Sequence, residues 1–212
     1  MKLISAILKP IRCKGLLALF LLILFCFSAK AQYYTQYPSK EYLEAQKLAD
    51  SMKVDGAILV RLKSKQKQIE QLAIYNSSKA EEVKSRQILE NRKIVKAFRE
   101  KFNFCPVYFF YSHHSLQVKN GELNNVFLND SLTIDSNITI KENRVFIAEF
   151  GSLDSDRLGI NALYLMDENF KYLQKPFPYY VRTFKTLFFL KKSKSEVVSE
   201  LSMELSTFHS LK

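Results

Sequence analysis

Two short apolar runs, Ala57–Leu62 and Val107–Tyr111, are separated by a long basic segment with helical periodicity, and this arrangement constrains the fold more than any other feature of the chain. A strand, a helical crossover and a second apolar strand describe a parallel βαβ unit, because parallel neighbours need a connection of a dozen residues or more. Within the crossover, Ile69, Leu72 and Ala73 repeat at helical spacing before Asn76. Ser78 and Glu81 have the spacing of a capping box that would open a second helix, whose Ile88, Val95, Phe98 and Phe102 form one apolar stripe. The break near Asn76 also permits one long helix. Either way, residues 63–102 form a basic helical excursion between two strands.

The flanking sequence extends this pattern. Tyr42, Ala45, Ala49 and Met52 share a helical face after Ser39, and Asp55-Gly56 turns that helix into the first strand. An Asn120-Gly121 turn and the runs Val126–Leu128, Ile138–Ile140, Arg144–Phe150 and Ile160–Leu165 suggest short strands joined by hairpins. Ser193 and Glu196 form another capping-box pair, opening a helix with Val197, Leu201, Leu205 and Phe208 on one stripe. The expected fold class is therefore α/β: a mixed β-sheet with packed helices and a long basic crossover between two strands.

The N-terminus sets the compartment. Lys2, Lys9, Arg12 and Lys14 precede an apolar run from Leu16 to Phe27, followed by small residues at Ala29 and Ala31. This reads as a secretory signal peptide over residues 1–31, cleaved between Ala31 and Gln32, with residues 32–212 forming a single exported domain. The run of 12 residues is shorter than the about 20 needed to cross the hydrocarbon core. No transmembrane span is expected after cleavage, and the destination is the periplasm, the outer envelope or the medium. Cys13 and Cys26 leave with the leader, so Cys105 remains alone and no internal disulfide can form.

Charge is localised in the mature chain. The leader carries five of the 32 basic residues and none of the 21 acidic ones, leaving an excess of six. Lys63–Lys101 alone holds 11 basic and 5 acidic residues, so the excess resides in the crossover. Lys93, Lys96 and Arg99 are the candidate contacts there for an anionic envelope component, a lipid headgroup or glycolipid, or for another envelope protein. Nucleic acid is not expected as a partner: the chain is exported, and Tyr75 is the only aromatic residue between Lys63 and Ala97, which leaves no stacking platform.

Three further features carry chemistry. Pro176–Arg182 combines two prolines, Tyr179, Tyr180 and Arg182, a set suited to a sugar or extended peptide, or to an edge strand covering the core. His113 and His114 follow the second strand and form, with Glu149, Asp154 and Asp156 as carboxylate sources, a candidate metal site. Adjacent histidines on an extended backbone would point to opposite sides, and their spacing matches no zinc pattern. His209 near the end of the last helix suits the helix dipole. No glycine-rich phosphate loop or nucleophile elbow is present, and no cofactor is implied.

The stretches Asp55–Leu62, Phe102–Tyr111 and Pro176–Arg182 resemble segments of uncharacterised exported proteins of Bacteroidota. The resemblance implies a compartment and a source and transfers no mechanism. It also implies candidate O-glycosylation, since some bacteria of that phylum modify Asp-Ser/Thr before an apolar residue; Ser51 and Ser131 match. Two functional readings stand at this level. One is a non-enzymatic binding or structural protein of the envelope; the other is a small secreted hydrolase, metal-assisted, around His113 and His114.

Overall fold

The computed structural model describes residues 39–153, 160–184 and 191–211. The leader, the Ala31/Gln32 cleavage point, Asp154 and Asp156 lie outside the described residues. Helix α1 (Lys40–Asp55) buries Ala45, Ala49 and Met52 of the stripe that the spacing predicts, with Tyr42 half-buried at its edge, and adds Gln46. The Gln46 side-chain amide donates to the carbonyl of Phe208 at 2.7 Å, adding a side-chain donor to an acceptor in the last turn of the final helix that the Leu211 amide also reaches at 3.4 Å. Strand β1 (Gly56–Leu62) follows without a linker. Gly56 makes this junction possible, because a Cβ there would stand 2.7 Å from the Cα of Met52.

The crossover consists of two helices, α2 (Gln66–Tyr75) and α3 (Ser77–Lys101). The predicted Ser78–Glu81 capping box is not the cap. Asn76 takes that position in a non-helical conformation, its side chain accepting from the Lys79 amide at 2.9 Å while its own N–H closes α2 on the Leu72 carbonyl. An Asn side chain satisfies the orphan donor as well as Ser does, and its position two residues earlier sets where α3 starts. Helix α3 buries Ala80, Asn91, Ile94, Val95, Ala97 and Phe98, whereas α2 buries no residue.

Strand β2 (Val107–Tyr111) leads into a 3-10 turn (Ser112–His114) and the short helix α4 (Ser115–Lys119). Strands β3 (Arg144–Leu153), β4 (Ile160–Met166) and β5 (Tyr180–Arg182) and helix α5 (Lys194–Ser210) complete the described elements. The sheet order is β2-β1-β3-β4-β5. β1 is parallel to both β2 and β3, while β3–β4 and β4–β5 are antiparallel, so the α/β mixed sheet is as expected. The α5 capping box forms as predicted: Ser193 accepts from the Glu196 amide at 3.2 Å and Glu196 accepts from the Ser193 amide at 2.6 Å.

Two predicted strands do not form. Asn120-Gly121 closes α4 instead of a hairpin, with the Asn120 amide donating to Leu116 at 3.0 Å and Gly121 at a φ of 76°. Val126–Leu128 makes only isolated bridges, Phe127 to Phe110 and Leu128 to Ile134, and Ile138–Ile140 is irregular. These apolar residues are used for covering rather than for pairing: Val126 and Phe127 are buried in the core on one side of the sheet, with Ile138 and Ile140 packed against it.

That core covers one face and includes Leu59, Phe110, Ile147 and Tyr164. The other face carries the larger core, in which Ile58, Val60, Leu62, Phe109, Ala148, Leu163 and Leu165 meet α1, α3 and α5 through Met52, Phe98 and Leu201. No helix among the described residues is long and apolar enough to cross a membrane.

Candidate functional site

The basic residues singled out from sequence separate once folded. Lys96 lies 3.7 Å from Glu100 on the exposed surface of α3. Arg99 is held near the β2 edge, donating from Nε to Asp130 at 3.0 Å and from Nη1 to the Val107 carbonyl at 3.3 Å, with its guanidinium 4.9 Å from the Phe109 ring. Lys93 pairs with Glu90 at 2.8 Å and also borders a cleft of about 540 Å³. Lys191, Lys192 and Lys194, which enter α5, line the same cleft, and Glu90 is the one carboxylate on its described wall. The charge analysis missed these lysines because they lie about a hundred residues from the crossover; only the packing of α5 against α3 brings them to Lys93.

The aromatic stretch borders a neighbouring cleft. Tyr179, Tyr180 and Arg182, together with Pro176, Pro178 and Lys192, line a groove of about 410 Å³ along β5, the last strand of the sheet. Tyr179 and Tyr180 sit 4.8 Å apart, one packed against each core, so these rings cover sheet edges as well as bordering the groove. Lys192 belongs to both clefts; its ammonium contacts Glu200 and lies 5.5 Å from the Phe184 ring. Glu204 on the groove wall is held above the ordinary carboxylate range, chiefly by burial and then by the charge of Glu200.

The histidines occupy a different position from the one expected. His113 and His114 lie in a 3-10 turn, not on extended backbone, so their rings come together, 4.2 Å between centroids, instead of pointing apart. His113 stacks on Tyr111 with centroids 5.5 Å apart, and burial followed by the neighbouring His114 holds it below the usual imidazole range. His114 contacts Gln117 through Nδ1. Glu149, the expected carboxylate partner, is committed elsewhere: it accepts from Arg61 Nη1 at 2.6 Å and is almost fully buried. Among the described residues, no group of three His, Cys, Asp or Glu side chains is arranged to hold a metal ion.

Arg61 and Glu149 belong to a lateral row across the sheet that spacing along the chain does not show. Register places Phe110 beside Arg61, Glu149 beside Tyr164, and Tyr164 beside Tyr180. Arg61 also donates to Ser115 Oγ at 2.7 Å. The Tyr164 phenol is held above its usual range, first by burial and then by the charge of Glu149.

The remaining candidates are structural in their surroundings. Cys105 is partly buried, and burial pushes its thiol up to about 12, so it is protonated at neutral pH and not an activated nucleophile. His209 sits 3.2 Å from Asp50 and edge-on to Phe104, joining α5 to α1. Of the two glycosylation candidates, Ser131 is exposed on a tight turn, while Ser51 lies inside α1 and donates to the Leu48 carbonyl at 2.9 Å.

The fold and these clefts define an α/β protein with a mixed five-stranded sheet, the long helices on one face and the short helix α4 with irregular chain on the other. Comparison with family models, with curated proteins and with solved structures finds no match.

Proposed function

We propose that the protein is an exported, non-catalytic envelope protein that binds an anionic glycolipid headgroup. One observation carries this reading: the lysine cleft beside α3 and the aromatic groove along β5 adjoin and share Lys192. Lysine ammonium groups attract phosphate or carboxylate within a Debye length, and tyrosine rings next to a fixed cation suit a sugar face. The N-terminal leader and the resemblance to exported proteins of Bacteroidota support the compartment. The lack of a catalytic motif in the sequence supports binding over hydrolysis, as does the engagement of Glu149 by Arg61.

The test is co-sedimentation with vesicles containing a phosphorylated glycolipid, compared with neutral phosphatidylcholine vesicles. Lys93→Glu combined with Lys191→Glu is expected to abolish retention on the anionic vesicles. Lys96→Glu, outside the cleft, is expected to leave retention within about twofold of the parent, as a single rim charge screened by salt should. Equal losses from both changes would mean diffuse charge attraction and would sink the reading.

A further inference from the structure

The parallel part of the sheet ends at a topological switch. The chain leaves β1 at Leu62 and passes to the helix face through α2 and α3. It leaves β2 at Tyr111 and passes to the opposite face through α4, whose Val118 is buried with Leu59 and Phe110. The connections diverge from adjacent strands, and in open α/β sheets the crevice outside such carboxyl ends is where ligands bind. Two adjoining clefts of about 390 and 520 Å³ open there, sharing Ser64, Gln66, Glu70 and His113. Both volumes lie in the range of small-molecule sites.

The rim is held in place. The Ser64 amide donates to Ser112 Oγ at 3.1 Å, and the two hydroxyls stand 3.3 Å apart, linking the exits of β1 and β2. Asn91, 1% exposed, donates to the Lys63 carbonyl at 2.9 Å and receives a bond from Gln87 at 2.9 Å. Lys65 turns the chain into α2 in the left-handed region, at a φ of 51°. A non-glycine residue held there requires surroundings that fix the backbone.

The walls differ in chemistry. Ile69, Ile88 and Tyr111 make one side apolar, with His113 stacked at its edge. The same clefts are also lined by the two serine hydroxyls and by Lys63, Lys65, Lys67 and Lys84, and Glu70, which accepts from Gln66 at 2.9 Å, is the one carboxylate among their described lining residues. Lys84 also lies 3.6 Å from Glu81. We infer that this switch-point crevice binds a small organic anion, with its acidic group at Ser64, Ser112 and the lysines and its apolar body against Ile69 and Ile88.

The probes are anilinonaphthalene sulfonate, which joins an aromatic body to a fixed anion, and uncharged phenylnaphthylamine, which has a similar body without the anion. Titrated into the folded protein, the sulfonate is expected to bind saturably and to shift the amide resonances of Ser64, Gln66, Ser112 and His113. Lys63→Gln with Lys84→Gln should weaken the sulfonate about tenfold and leave phenylnaphthylamine unchanged, the loss expected when charged hydrogen-bond partners are removed. Ile69→Gln, on a helix with no buried residue, should weaken both probes. The Lys93→Glu, Lys191→Glu variant should leave both unchanged, which separates this site from the lysine cleft. Non-saturable binding, resonance shifts confined to other surfaces, or equal affinities in the parent and the Lys63, Lys84 variant would overturn the inference.

Discussion

The two faces of the sheet solve the same burial problem by different means. On the helix face, α1, α3 and α5 supply regular stripes, and the core between them and the strands is aliphatic and aromatic, with Phe98 set against Phe102 and Phe109 at centroid distances of 5.7 and 6.3 Å. On the other face the cover is the segment between β2 and β3, one short helix and then irregular chain, and the strand row on that face contains the Arg61–Glu149 pair. A helix satisfies its own backbone and can present a dry stripe. Irregular chain must find partners for its polar groups, and a covering of that kind can tolerate a charge pair with satisfied hydrogen bonds. The contrast predicts that the helix face is sensitive to volume and the second face to charge balance.

The largest effect is expected on the helix face. Phe98→Ala, at a site 1% exposed, should cost about 3–5 kcal/mol, transfer and cavity terms together, measured by urea unfolding. If the loss were below about 1 kcal/mol, the helix face would not be the close-packed side that the comparison requires.

On the second face, Arg61→Leu should cost about 3 kcal/mol, because it leaves the Glu149 carboxylate buried without its cation. The double change Arg61→Leu, Glu149→Leu should recover most of that loss, since replacing a buried ion pair by apolar groups is often neutral. A double variant no more stable than Arg61→Leu alone would show that the pair acts through packing rather than charge.

The smallest effect tests the link to the covering chain. Ser115→Ala removes the hydroxyl that accepts from Arg61 Nε and donates to the Ser112 carbonyl at 2.6 Å, and should cost about 1 kcal/mol. Chemical denaturation of this variant beside Arg61→Leu measures how far the 3-10 turn and the ion pair act as one unit.

Legibility in the sequence follows the range of the interactions. The α1 stripe, the α5 capping box and the strand–crossover–strand unit were readable because each depends on residues within a few turns of one another. The cap of α3 was readable in kind but not in position, since Asn76 and Ser78 are both good capping residues two positions apart, and the helix starts where Asn76 accepts from the Lys79 amide. Ile138 and Ile140 have a strand's apolar pattern, yet cover the sheet without pairing; apolar alternation records burial, and burial does not require a ladder partner. For the candidate site, Lys93, Tyr179, Tyr180, Arg182 and His113 were found individually. Their neighbours Lys191, Lys192, Ser64 and Ser112 were not, because nothing local distinguishes them from ordinary surface and loop residues.

By itself, the sequence determined the α/β class, the helical crossover between β1 and β2, the concentration of positive charge in that crossover and the presence of a single cysteine, Cys105, beyond residue 31. These follow from periodicity, composition and counting, which do not depend on how distant segments meet. Only the tertiary structure decided that α2 stays unburied while α3 seals the sheet, that Glu149 belongs to Arg61 and not to the histidines, and that the lysines before α5 join Lys93. Those are outcomes of strand order and helix docking, which decide which residues far apart in the chain become neighbours.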